Sequence, residues 1–137
     1  MGARSKARKR ALDVLFEADQ RGVNVASVLE ERLKDPGRET PLPEYAQQIL
    51  RGVIEQWVDV NARIADAAQE WTLDRMPAVD RAVLRIGAWE IVHNPDVAPA
   101  VAIDEAVELA TSLSTDESPK FVNGVLGRVA REAGATE

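Results

Sequence analysis

Apolar residues recur in this chain at intervals of three and four, and no stretch alternates them cleanly with polar residues between turn pairs. That spacing selects helices, because such residues return to one face of a helical turn, whereas a half-buried strand needs strict alternation. Ala7, Ala11, Val14, Leu15 and Ala18 form one such stripe, and Gly22 is placed to end the first helix. Further helical stretches run near Val25 to Leu33, from Pro43 to about Trp57, and from about Asp59 to Trp71. Lys34 to Pro43 carries Pro36, Gly37, Pro41 and Pro43 and reads as the longest loop. A fifth helix spans Pro77 to about His93, with Val79, Ala82, Val83, Ile86 and Trp89 on one broad face and Leu84 and Ile91 on another. A helix apolar on two sides is a central one, covered by several neighbours. Asn94-Pro95 stops it. The sixth, from about Pro99 to Leu113, turns Ile103, Ala106, Val107, Ala110 and Leu113 inward. The seventh opens with Ser118 as N-cap and Pro119 at the first helical position, then continues through Val122, Val125, Leu126 and Val129. The expected fold is all-α: a single-domain bundle of about seven short helices with one shared core across residues 1–137.

Residue inventory removes most enzyme classes. There is no cysteine, hence no disulfide, thiolate–zinc cluster or thiol nucleophile, which suits a reducing compartment. His93 is the one histidine, so a multi-histidine metal site cannot be built, and a hydroxyl nucleophile has few possible bases. The eight glycines are scattered and make no phosphate-cradling loop. The acid pairs Asp104–Glu105 and Asp116–Glu117 read as exposed or helix-end carboxylates. His93 reads as a helix C-terminal residue facing the dipole. The polybasic N-terminus has no apolar stretch behind it, so it is no secretory signal, and no apolar run is long enough to span a bilayer. A soluble, cytoplasmic, non-catalytic protein is expected, with no cofactor and no metal.

Charge is distributed unevenly. Residues 1–10 hold Arg4, Lys6, Arg8, Lys9 and Arg10 and no acid, while the rest of the chain carries a net charge of −11, from twelve basic and twenty-three acidic groups. A basic end on an acidic body suits an arm that meets nucleic-acid phosphates; a merely solubilising terminus has the same composition. In a helix those five cations point all around the axis, as on a projecting arm. A second feature is Ser118-Pro119-Lys120-Phe121-Val122-Asn123-Gly124. Phe121 lies about 90° from the centre of the apolar stripe, so it is a margin residue beside Lys120. An aromatic there can stack an unpaired base while the helix end holds a phosphate, or it can simply pack on another helix. Leu12 and Phe16 form a further apolar pair off the main stripe of the first helix, and Asp80 stands in the first turn of the fifth. Apolar faces beyond the core stripe meet other helices or a partner protein.

Several of these strings occur together, in order, in one known family. Phe121-Val122-Asn123-Gly124-Val125-Leu126, preceded by Asp116-Glu117-Ser118, resembles the C-terminal signature of the bacterial NusB family of transcription antitermination factors. So do Val79-Asp80-Arg81-Ala82-Val83-Leu84-Arg85-Ile86 with Trp89-Glu90, Val101 to Ala106, and Ala7 to Ala11 with Leu15-Phe16. The resemblance covers nearly the whole chain and is weakest from Val23 to Pro43. It implies an all-helical RNA-binding factor, not an enzyme, that takes single-stranded boxA RNA of ribosomal RNA leaders together with the ribosomal protein NusE. Its setting would be the RNA polymerase antitermination complex. By the same resemblance Arg4, Lys6, Arg8, Lys9, Arg10, Glu117, Lys120 and Phe121 would contact RNA, and Phe16 and Asp80 would face the partner. Pro119 departs from a polar position of the family. Two other readings stay open: a NusB-like recognition subunit serving a separate ribosomal RNA methyltransferase chain, and a protein-only adaptor.

Overall fold

The computed structural model describes residues 2–37, 40–69 and 71–134. Seven α-helices follow one another: α1 (Ala3–Arg21), α2 (Val25–Lys34), α3 (Glu44–Glu55), α4 (Trp57–Ala68), α5 (Ala78–His93), α6 (Pro99–Leu113) and α7 (Ser118–Glu132). A short 3-10 turn, Leu73–Arg75, lies between α4 and α5. Among the described residues no helix is long and apolar enough to cross a membrane.

Local chemistry accounts for the helix ends. Gly22 takes a left-handed conformation (φ 65°). It closes α1 as a Schellman motif, with Val23 N–H on Ala18 O and Gly22 N–H on Asp19 O. Pro99 sits in the first turn of α6, where a missing N–H costs nothing. Two boundaries differ from the sequence reading. α3 stops at Glu55 and α4 begins at Trp57, because Gln56 leaves the helical range (φ −102°, ψ 25°). α4 then ends at Ala68 rather than Trp71, since Gln69 adopts φ 53°. Ser118 is also not the N-cap of α7. That position belongs to Glu117, and the Ser118 hydroxyl turns inward to Asp80 while accepting the Thr115 N–H.

α5 is the central helix. It packs against α1, α3, α4, α6 and α7, and buries residues on every side, from Ala82, Val83 and Leu84 to Ile86, Trp89 and Ile91. One hydrophobic core runs through all seven helices. Two glycines permit the closest approaches to α5. A Cβ on Gly52 of α3 would stand 2.2 Å from the Trp89 indole, and one on Gly87 would stand 2.5 Å from Leu126. α6 presents a different stripe from the one expected. Ala102, Ala106 and Ala110 form its buried seam, Ile103 and Val107 flank it, and Leu113 is 39 % exposed. The small side chains let α6 lie close against α5 and α7.

Candidate nucleic-acid interface

The basic segment is not a free appendage. From Ala3 onward it is the first two turns of α1, and its cations meet different fates. Arg4 is exposed, with its guanidinium 4.6 Å from the centre of the Tyr45 ring, and Lys6 is exposed beside it in sequence. Lys9 pairs with Asp13 at 2.7 Å, one turn on. Arg10 reaches the loop ahead of α3, donating to Thr40 Oγ1 at 3.0 Å and to Thr40 O at 3.1 Å.

Arg8 overturns the reading of a wholly solvent-facing arm. It is buried, and its Nε lies 2.9 Å from Glu90 Oε2 while Nη1 lies 3.0 Å from Glu105. Glu90, itself fully buried, also accepts the Tyr45 hydroxyl, which in turn accepts from Asn94 Nδ2 at 3.1 Å. Burial, reinforced by the bond to Glu90, pushes the Tyr45 phenol well above its ordinary pKa, so it stays a donor at any physiological pH. Arg8 is spent on this internal network and has no reach to a phosphate. Its neighbours Arg4 and Lys6 are displayed by it.

The second cluster is the corner where α7 begins. Glu117 and Lys120 are exposed at the first turn, and Phe121 is half-buried, resting on the core. Phe121 meets Trp71 edge-on, ring centres 6.5 Å apart at 73°. Trp71 is 51 % exposed, an unusual position for an indole. Together with Met76, Pro77, Lys120 and Gly124 the two rings line a groove of about 690 Å³. Sequence reading missed Trp71 by assigning it to the end of a helix. The one available signal was an indole falling where the apolar stripe of α4 had already run out.

Asp80 fixes this corner from within. Only 2 % exposed, it accepts the Ser114 hydroxyl at 2.6 Å and the Ser118 hydroxyl at 2.9 Å, tying the end of α6 to the start of α7. A partner docking on the surface would not reach its carboxylate, so the expected partner-facing role of Asp80 gives way to a positioning one. Phe16 is 36 % exposed on α1 and remains available to a partner.

The two clusters are not one site. Arg8 and Arg4 stand at the Glu90 end of α5, whereas Phe121 and Trp71 stand at the Asp80 end. Ten residues of helix separate these ends by about 15 Å. Among the described residues no trio of His, Asp or Glu side chains gathers to hold a metal.

Comparison with known proteins identifies the family and the fold. The sequence profile of the NusB family matches residues 5–131. The chain is 51% identical over 141 residues to the transcription antitermination protein NusB of Beutenbergia cavernae, covering 97% of this chain and 92% of that protein. A solved structure of T. maritima NusB superposes with a TM-score of 0.82 at 34% identity, covering 96% of this chain and 93% of that one. A structure of antitermination factors NusB and NusE in complex with dsRNA superposes with a TM-score of 0.80 at 25% identity, covering 94% and 96%.

Proposed function

The chain belongs to the NusB family of non-enzymatic transcription antitermination proteins, and from that premise we propose that it binds boxA RNA of ribosomal RNA leaders as a single strand, jointly with the ribosomal protein NusE. The observation that carries this reading is the Trp71–Phe121 pair at the mouth of a groove that begins beside Lys120. Stacking on exposed aromatic rings is how unpaired bases are held, and it is unavailable to bases inside a duplex.

Arg4 and Lys6 supply phosphate attraction at the other end of α5. An RNA segment that spans both ends of α5 engages the aromatic corner with its bases and the α1 cations with its backbone. Phe16 offers an exposed ring to the protein partner, whose binding would enlarge the RNA surface. The setting is cytoplasmic, within the RNA polymerase antitermination complex. A NusB relative solved with NusE and dsRNA supports both kinds of partner.

The test is fluorescence anisotropy of labelled boxA-type RNA, a scrambled strand and a boxA duplex, with and without NusE. Preference for the boxA single strand, tightened by NusE and weakened steeply by salt, is the expected result. Equal binding to boxA and scrambled RNA, or tighter binding of the duplex, overturns the base-stacking mechanism. No binding to any RNA leaves a protein-only adaptor.

A further inference from the structure

A second pocket shares no lining residue with the groove above. It lies where the end of α1 and the start of α2 face the α3–α4 junction, holds about 530 Å³, and is walled by Leu15, Val23, Val25, Ile54, Trp57 and Arg85. Its size is that of a ligand-binding cleft, and its wall mixes apolar side chains with Asp19, Asn24 and the guanidinium of Arg85.

Arg85 is the unusual element. It projects from central α5, half-buried, with its guanidinium carbon 4.4 Å from the centre of the Trp57 ring. Its Nε donates to Asn61 Oδ1 at 2.9 Å. Among the described residues no carboxylate pairs with it, and its two terminal amino groups have no hydrogen-bond acceptor. Two other arginines that reach into the bundle are served differently: Arg8 by Glu90 and Glu105, Arg81 by Asp19. Asp19 borders the pocket and its charge favours Arg85 from nearby, but its hydrogen bonds go to Arg81 Nε and Nη2 at 3.0 and 2.6 Å, so Arg85 has no hydrogen-bonded carboxylate. Burial makes that charge costly, pushing the Arg85 guanidinium below its ordinary pKa. Asn24 and Val25, at the N-terminal end of α2, line the same pocket, and a helix N-terminus also favours negative charge.

We propose that this pocket is a docking site for an acidic segment of a partner protein, in which one Asp or Glu side chain takes the terminal amino groups of Arg85 and its apolar neighbours cover the rim. A planar guanidinium already stacked on an indole presents its free edge as a fork matched to a carboxylate. The rim decides between a protein and a small organic acid. Val23 is 40 % exposed and Trp57 37 %, an apolar border that a small anion would leave wet. An aromatic and an arginine ringed by apolar contacts are the usual anchors of a protein interface. The site is independent of the RNA-binding reading, because none of its residues belongs to either RNA cluster.

The experiment uses the isotope-labelled full chain titrated with two blocked tetrapeptides, acetyl-Leu-Glu-Leu-Val-amide and its Gln counterpart, followed by NMR. The Glu peptide is expected to move the Trp57 indole and Arg85 Nε–H signals together with the amides of Asn24 and Val25, and to bind about tenfold or more tightly than the Gln peptide. Arg85→Lys, which keeps charge but loses the fork, weakens the Glu peptide alone. Val23→Asp adds repulsion at an exposed rim position and does the same without touching the core, so the test survives if an Arg85 variant fails to fold. RNA binding is unchanged in Val23→Asp, which separates failure here from failure of the RNA reading. Equal binding of the two peptides, signals moving elsewhere, no binding, or full binding by Val23→Asp each overturns the proposal.

Discussion

Arg8 Nε lies 2.9 Å from Glu90 Oε2, and both side chains are almost wholly removed from water. The pair joins the first helix to the middle of the bundle across eighty-two positions of sequence. Such a bond is costly to assemble and more costly to break, because removing one partner strands the other charge in the interior. Its consequence for function is indirect: it fixes the helix that displays Arg4 and Lys6.

Arg8→Ala is accordingly expected to destabilise the fold by about 3–5 kcal/mol, a large share of the stability of a small domain. Replacing Arg8 and Glu90 together by methionine should recover part of that loss, since no uncompensated charge remains. Urea unfolding midpoints of the three variants check this. A mild effect of Arg8→Ala on stability combined with a strong one on RNA affinity would place Arg8 at the RNA surface after all.

Gly52 and Gly124 should respond oppositely to alanine. A methyl on Gly52 has nowhere to go against the Trp89 indole, so Gly52→Ala is expected to cost about 1–3 kcal/mol or more by overpacking. Gly124 is helical and exposed, with nothing within 4 Å of an added Cβ, so Gly124→Ala should stabilise by about 0.5–1 kcal/mol. Thermal unfolding of the two variants reads both signs.

Tyr45 provides a pH signature, and as the only tyrosine it can be followed directly. Its native pKa is raised, so folding favours the protonated phenol. The corresponding stability is present below the ordinary tyrosine pKa of about 10 and is lost as pH rises past it. Near-ultraviolet phenolate absorbance should appear at about pH 10 in urea but only at higher pH in the native protein. Coincident titrations would show that Tyr45 is not held by Glu90.

For RNA, Trp71→Ala and Phe121→Leu should each weaken single-strand binding by about 1–3 kcal/mol if the rings stack on bases. Leucine keeps the packing of Phe121 on the core, which separates stacking from folding. Lys6→Ala should instead reduce affinity for all sequences alike and lower the salt slope by about one contact. An unaltered slope would remove Lys6 from the phosphate contacts.

Asp80→Ala leaves the Ser114 and Ser118 hydroxyls without their shared acceptor and is expected to cost about 1–3 kcal/mol. It should loosen the start of α7 and so weaken RNA binding indirectly. Amide exchange at Ser118 to Val122, faster in the variant, would locate the effect. Retained protection there would mean that Asp80 does not position the corner.

Residues close in sequence determined most of the architecture. Stripes spaced three and four apart, Gly22, Asn94-Pro95 and Pro99 act within a turn or two of chain, and they marked seven helices in the right order with α5 as the central one. The basic first turns and the Lys120–Phe121 corner were also visible, because they are runs of residue types. What the tertiary structure alone decided was which polar groups go inside and which apolar ones stay out. Arg8 and Asp80 look like surface charges until Glu90, Ser114 and Ser118 arrive from distant helices to satisfy them. Ala102, Ala106 and Ala110 form the seam of α6 because small side chains let neighbouring helices approach, a property of the pair rather than of one helix. Trp71 lines a groove with Phe121 only because the turn at Gln69 carries it to the edge of that ring. Helical periodicity is a local property of the chain, whereas burial of a charge or exposure of a ring depends on partners that only the folded structure brings within reach.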